Sequence, residues 1–171
     1  MKKNIILIGM MGCGKTTAAK NLSKLLKDYC LVDIDEEIEK STGKKISEIF
    51  LKYGEPHFRE LELHKIRQFA KNSAQIISVG GGAFENPANR TVLLENSMVF
   101  FLKASAQTIY DRIKLETHRP LLRKNFSVEK IENILSLREK NYYKAHFVID
   151  TNSKSPEDVA NEILGVINGK S

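Results

Sequence analysis

Short apolar runs punctuate the chain at 5–8, 30–33, 76–79, 98–102 and 147–149. Each is too short for a helix and rich in β-branched or aromatic residues, so each predicts a strand. Their nearly unbroken hydrophobicity predicts strands buried on both faces of a parallel sheet. Between them, apolar residues recur at helical spacing. Ala18, Leu22, Leu25 and Leu26 fall on one face of the first such segment. Capping residues mark the other starts. Ser47 predicts a short helix that stops at Gly54, and 55 to about 71 predicts another. Asn86 and Ser155 each stand before a proline at a first helical position. Ser105 opens a helix through Lys114, and Ser127 opens one through about Ala145. Strand and helix therefore alternate, which predicts a doubly wound α/β sheet with right-handed crossovers and ligands at the carboxyl ends of the strands. The segment 115–126 departs from the pattern. It is polar, aperiodic and holds Arg119-Pro120 and Arg123-Lys124, so it predicts either an exposed loop or a mobile lid.

Composition narrows the class. The 171 residues, 42% hydrophobic and 28% charged, suit one domain with a real core and exclude disorder or a fibre. The two cysteines, Cys13 and Cys30, are too few for a disulfide scaffold. The apolar run near the N-terminus is broken by Gly9 and followed by Lys15, which does not fit a signal peptide, and no stretch has the length of a membrane span. A cytoplasmic protein is the expectation. The net charge of +6 favours anionic partners. Lysines are scattered, often four residues from acids, and no aromatic-basic surface pattern appears, so nucleic acid is not the expected partner. His57, His64, His118 and His146 form no metal-ligand spacing with the cysteines.

The sharpest chemistry lies in Gly9-Met10-Met11-Gly12-Cys13-Gly14-Lys15-Thr16, a full G-x-x-x-x-G-K-[ST] match between a predicted strand and a predicted helix. Glycines let successive backbone N–H groups converge on phosphate, and the helix N-terminus adds positive potential. Lys15 can reach the β- and γ-phosphates, and the Thr16 hydroxyl can ligate Mg²⁺. A chance glycine-rich turn is the alternative, and the strand-loop-helix context argues against it. The chain lacks Asn-Lys-x-Asp and Asp-x-x-Gly, which favours ATP over GTP.

Four further features carry candidate acceptor chemistry. Asp33-x-Asp35 ends the second strand, where period-2 alternation would point both carboxylates the same way, one toward Mg²⁺ and one toward a hydroxyl proton. An acidic helix start is the alternative. Phe58-Arg59-Glu60-Leu61-Glu62 places Arg59 and Glu62 on one helical face, which is either a surface ion pair or part of a site. Gly80-Gly81-Gly82 costs backbone entropy that makes sense where a ligand approaches the main chain. Arg138, before the last strand, is by itself an ordinary helical arginine.

Taken in order, the P-loop, Asp-x-Asp, Phe-Arg-x-x-Glu, Gly-Gly-Gly, Arg-Pro-Leu and the late Arg138 closely resemble shikimate kinase over essentially the whole chain. The resemblance implies a three-layer α/β/α P-loop kinase fold, with a five-stranded parallel sheet of order 2-3-1-4-5 and a mobile lid. It implies a single domain over 1–171, with the P-loop at 9–16, a shikimate-binding region at about 33–62 and the lid at about 115–126. The activity implied is phosphorylation of the 3-hydroxyl of shikimate by ATP with one Mg²⁺, by a monomer serving aromatic amino acid biosynthesis. By position, Asp35, Arg59, Gly81 and Arg138 match shikimate-binding residues, flanked by Gly80 and Gly82, with Glu62 orienting Arg59. Lys15, Asp35 and Arg119 match the catalytic set. Gly12, Cys13, Gly14, Lys15, Thr16 and Thr17 match the phosphate loop, Arg112 and Pro156 the adenine region, and Arg119 also the phosphate-contacting lid arginine. Thr16 matches the metal ligand, with Asp33 and Ser78 acting through water. Two positions depart from the family pattern. Cys13 stands where serine is common, and Val79 where a hydroxyl residue is common. A thiol at a helix N-terminus beside Lys15 is either reactive, so that alkylating Cys13 blocks ATP, or an inert small residue in a tight loop.

Other readings make different demands. Gluconate kinase is the nearest alternative small-metabolite kinase, and nucleoside monophosphate kinases usually carry proline in the P-loop, where Met10-Met11 stands here. A non-catalytic ATP-binding protein would have no need of Lys15, Asp35 and Arg119 together.

Overall fold

A computed structural model describes residues 2–95, 97–115 and 127–169. Five parallel strands, β1 (Asn4–Ile8), β2 (Cys30–Asp33), β3 (Gln75–Ser78), β4 (Ser97–Lys103) and β5 (Phe147–Asp150), form one sheet in the order β2-β3-β1-β4-β5. The helices are α1 (Lys15–Leu25), α2 (Ile34–Thr42), α3 (Ile46–Ala70), α4 (Pro87–Leu94), α5 (Ala106–Leu115), α6 (Val128–Tyr142) and α7 (Pro156–Ile167). The expected topology and strand order are both present.

Alternation along the central strands builds the core. Ile5 and Leu7 of β1 face one layer while Ile6 and Ile8 face the other, and Phe100 and Leu102 divide from Val99 and Phe101 in the same way. The first layer is closed by α1, α5, α6 and α7 through Ala18, Leu22, Ile109, Ile131 and Ile163. The second is closed by α2, α3 and α4 through Ile34, Ile38, Phe58, Ile66 and Leu93.

Burial on both faces holds for β1 and β3 but not for β2 or β5. Those two are the edges of the sheet, so Cys30, Leu31 and Val148 are exposed despite their hydrophobic pattern. Leu25 also departs from expectation. It is 45% exposed near the end of α1 rather than sharing the buried face of Ala18 and Leu22.

The helix starts follow the capping residues with one exception. Asn86, Ser105, Ser127 and Ser155 each accept a backbone N–H two or three residues ahead. Ser47, in contrast, lies inside α3, whose N-cap is Lys45. The Glu48 carboxylate reaches back to accept the Lys45 N–H at 2.7 Å. The expected break at Gly54 is real: its φ of 81° and ψ of 169° kink α3 into two helical segments. The second segment carries Arg59 and Glu62.

Candidate active site

A cavity of about 400 Å³ opens at the carboxyl ends of the strands. One wall is the P-loop. Gly9, Gly12 and Gly14 have φ of 141°, 77° and 99°, in the left-handed region where a side chain would be strained. Space is as tight as conformation. A β-carbon on Gly9 would lie 2.7 Å from the Leu102 carbonyl oxygen, and one on Gly12 2.8 Å from the Ile113 side chain. The loop is thus wedged between β4 and α5. Lys15, only 9% exposed, folds back so that Nζ donates to the Gly9 carbonyl at 2.8 Å and the Met10 carbonyl at 3.0 Å.

For Cys13 the inert alternative fits better. Its thiol is 1% exposed and packs in the core with Met10, Leu102 and Ile113, so it is shielded from an alkylating reagent while the loop stays folded. Its carbonyl faces the other way and accepts Arg112 Nη1 at 3.0 Å and Thr151 Oγ1 at 3.3 Å. Arg112 Nη2 also donates to the Thr151 carbonyl. These bonds tie the P-loop to the turn after β5, where Lys154 and Pro156 border the same cavity. Thr151 and Lys154 were missed from sequence. The signal was available, since both follow a strand at its carboxyl end.

Asp33 and Asp35 do not share a strand face. β2 ends at Asp33, which is the N-cap of α2, and its Oδ1 accepts the N–H groups of Asp35 and Glu36. Asp35 sits in the first helical turn, so helical geometry rather than period-2 alternation aims it at the cavity. The Asp33 Oδ2 atom accepts the Thr16 hydroxyl at 3.2 Å. Ser78, 2% exposed, stands directly opposite Asp33 on β3 and lines the cavity with it.

Gly80 and Gly82 make room for charged side chains, and Gly81 for the P-loop backbone with Arg138 in ordinary contact beyond it. A β-carbon on Gly80 would lie 3.1 Å from Glu62 Oε1 and 3.2 Å from Asp35 Oδ1. On Gly81 it would lie 3.1 Å from the Met11 nitrogen and 3.6 Å from Arg138 Nη1. On Gly82 it would lie 2.6 Å from Arg59 Nη2. Asp35, Arg59, Glu62 and Arg138, from three helices, therefore converge on one tripeptide beside the P-loop.

Arg59 is held from two sides. Its Nη1 donates to Glu62 Oε2 at 2.9 Å, and its Nε and Nη2 donate to Glu55 Oε1 at 3.1 and 2.9 Å. Glu55 is a partner the sequence reading did not assign, although it lies four residues away on the same helix face. Glu62 is fully buried. Burial pushes its carboxyl above the ordinary range. Arg59 pulls it back down, the Asp35 and Glu55 charges push it up, and the net shift is upward.

The expected lid lies, apart from Leu115, outside the described residues, and Arg119 with it. The site described here is the P-loop, Asp33, Asp35, Ser78, the three glycines, Arg59, Glu62, Arg112 and Arg138.

The family model for shikimate kinase matches residues 11–168. A shikimate kinase of Thermodesulfovibrio yellowstonii is 43% identical over 162 residues, covering 95% of this chain and 93% of that protein. A solved shikimate kinase from Acinetobacter baumannii, in complex with shikimate, superposes with a TM-score of 0.91 at 34% identity over 100% of this chain and 96% of its own. One from Aquifex aeolicus superposes with a TM-score of 0.84 at 33% identity, over 97% and 96% of the two chains.

Proposed function

The chain belongs to the shikimate kinase family and transfers a phosphoryl group from ATP to shikimate, and we propose that its residues divide this work between the two walls of the cavity. The observation that carries the division is the convergence of Asp35, Arg59, Glu62 and Arg138 on Gly80, Gly81 and Gly82, directly beside the P-loop. Arg59 and Arg138 grip the substrate carboxylate, a task that suits the guanidinium fork. Glu62 holds Arg59 in place. Glu55, largely exposed, is the partner Arg59 can give up when the carboxylate arrives.

Asp35 orients the 3-hydroxyl. As that oxygen bonds to the γ-phosphorus and the bond to the ADP oxygen breaks, Asp35 takes the hydroxyl proton. Lys15 exchanges the Gly9 and Met10 carbonyls for phosphate oxygens and neutralises their charge. The backbone N–H groups from Gly12 to Thr17 wrap the phosphates. Arg112 and Pro156 border the adenine. Arg119 completes the set from the lid on the strength of its sequence position, and Arg119→Ala is expected to lower turnover sharply.

Mg²⁺ suits the donors present. Thr16 and Asp33 are all-oxygen ligands in contact with each other, with the Ser78 hydroxyl beside them, which is hard-cation chemistry. Thr16 would hold the ion directly, and Asp33 and Ser78 would hold it through water. When bound, it supplies charge neutralisation on the phosphates.

The same reading takes 1–171 as one domain acting as a monomer, since both walls of the cavity come from one chain. Its product feeds aromatic amino acid biosynthesis. A cytoplasmic setting fits two cysteines that remain free thiols. No helix among the described residues is long and apolar enough to cross a membrane. The test is ADP release from ATP and Mg²⁺ with shikimate, gluconate or nucleoside monophosphates as acceptor. Release that depends on shikimate is expected. Release with gluconate and not with shikimate would overturn the reading.

A further inference from the structure

On the reading that Gly81 and Arg138 belong to the acceptor wall, we propose that Tyr142 is a positioning residue for the shikimate carboxylate, its hydroxyl tethering the Gly81 carbonyl beneath Arg138. The Tyr142 ring is fully buried and packs 4.9 Å from Phe101 in an apolar cluster that includes Phe58, Val99 and Phe84. Phenylalanine would fill that space. A buried hydroxyl costs free energy unless it is bonded, and this one donates to the Gly81 carbonyl.

The tether acts on the loop and on α6 together. Tyr142 lies one turn after Arg138, so both project from one face of α6. The Arg138 guanidinium lies against the same glycine that Tyr142 holds by its carbonyl. The peptide is planar and trans, so a carbonyl drawn toward Tyr142 turns the following N–H, that of Gly82, away from it. Burial raises the Tyr142 hydroxyl well above the usual tyrosine range, and the pull of Arg138 in the other direction is smaller. The hydroxyl therefore stays a proton donor at any working pH.

The test compares three variants by steady-state kinetics and thermal melting. Tyr142→Phe removes one oxygen and is expected to raise the shikimate KM about tenfold while the ATP KM and the melting temperature barely move. Phe101→Leu, a packing control in the same cluster, should lower the melting temperature without a shikimate-specific change. Arg138→Ala should raise the shikimate KM more than Tyr142→Phe does. A normal shikimate KM in Tyr142→Phe with a raised one in Arg138→Ala overturns the tether alone. Normal values in both overturn the acceptor-site reading and the tether with it. An equal shikimate-specific rise in Phe101→Leu also overturns the tether, because loss of packing then suffices.

Discussion

The two walls of the cavity are built on different plans. The phosphate wall is eight consecutive residues, 9–16, whose shape is dictated by three left-handed glycines and the start of α1. The acceptor wall is assembled from α2, α3, the loop after β3 and α6, with more than a hundred positions between Asp35 and Arg138. On the proposed assignment of the walls, the difference follows from the ligands. A phosphate can be bound by backbone N–H groups, which every residue carries, so a local turn is enough. A carboxylate on a hydroxylated ring needs charged side chains arriving from several directions, and only packing delivers those.

That contrast can be attacked one wall at a time. The largest effect expected is from Lys15→Ala, which removes the charge proposed to neutralise the transferred group. Turnover should fall on the order of a thousandfold, with the fold intact by circular dichroism. A variant that kept most of its kcat would show that the phosphate wall works through its backbone alone.

Gly82→Ala attacks the acceptor wall without removing any charge. The new methyl would meet the Arg59 guanidinium at 2.6 Å, and a guanidinium can swing aside where backbone could not. Gly82 has ordinary right-handed dihedrals, φ −95° and ψ −8°, so alanine should fold. The expected result is a loss of about a hundredfold in kcat/KM for shikimate, the scale of a small misplacement, with the melting temperature held. Wild-type kinetics would mean that the Arg59 position is not critical.

Arg112→Ala removes the guanidinium bridge between the Cys13 carbonyl and Thr151, leaving only the direct Thr151 Oγ1 bond at 3.3 Å. The ATP KM should rise about tenfold, the scale of one or two charge-assisted bonds, while the shikimate KM stays put. Equal changes in both would erase the separation of the walls.

The smallest effect concerns Glu62. Its folded-state carboxyl is raised above the ordinary value of 4.5, so the folded chain holds this proton more tightly than the unfolded chain does. The associated stability is fully present below that value and is lost as pH rises through the folded pKa. Glu62→Gln removes the ionisation. The melting-temperature gap, variant minus wild type, should therefore move in the variant's favour between about pH 4 and about pH 7. A gap that does not change with pH would contradict the raised carboxyl.

Most of the fold was legible because periodicity reports directly on burial. The errors fell where burial depends on neighbours. Leu31 and Val148 look like core residues, but they lie on edge strands. Ser47 is a good cap by type, yet Glu48 reaching back to Lys45 starts the helix two residues earlier. Asp35 was aimed correctly for the wrong reason, because Asp33 caps a helix where a strand was expected to continue. Cys13 allowed a reactive and an inert reading from its neighbours in sequence, and burial of its thiol favours the inert one even with Lys15 Nζ 3.9 Å from Sγ.

By itself the sequence determined the phosphate wall, the strand order through its family likeness, and the residue types available for an acceptor. Those properties are carried by contiguous residues, by backbone preference and by hydrophobic period. Only the tertiary structure decided that Gly80, Gly81 and Gly82 each abut a different charged group, that Glu55 shares Arg59 with Glu62, and that Tyr142 stands under Gly81. Such contacts join residues distant along the chain or on different elements. They exist only once the sheet has brought the carboxyl ends of its strands to one edge and the helices have closed over it.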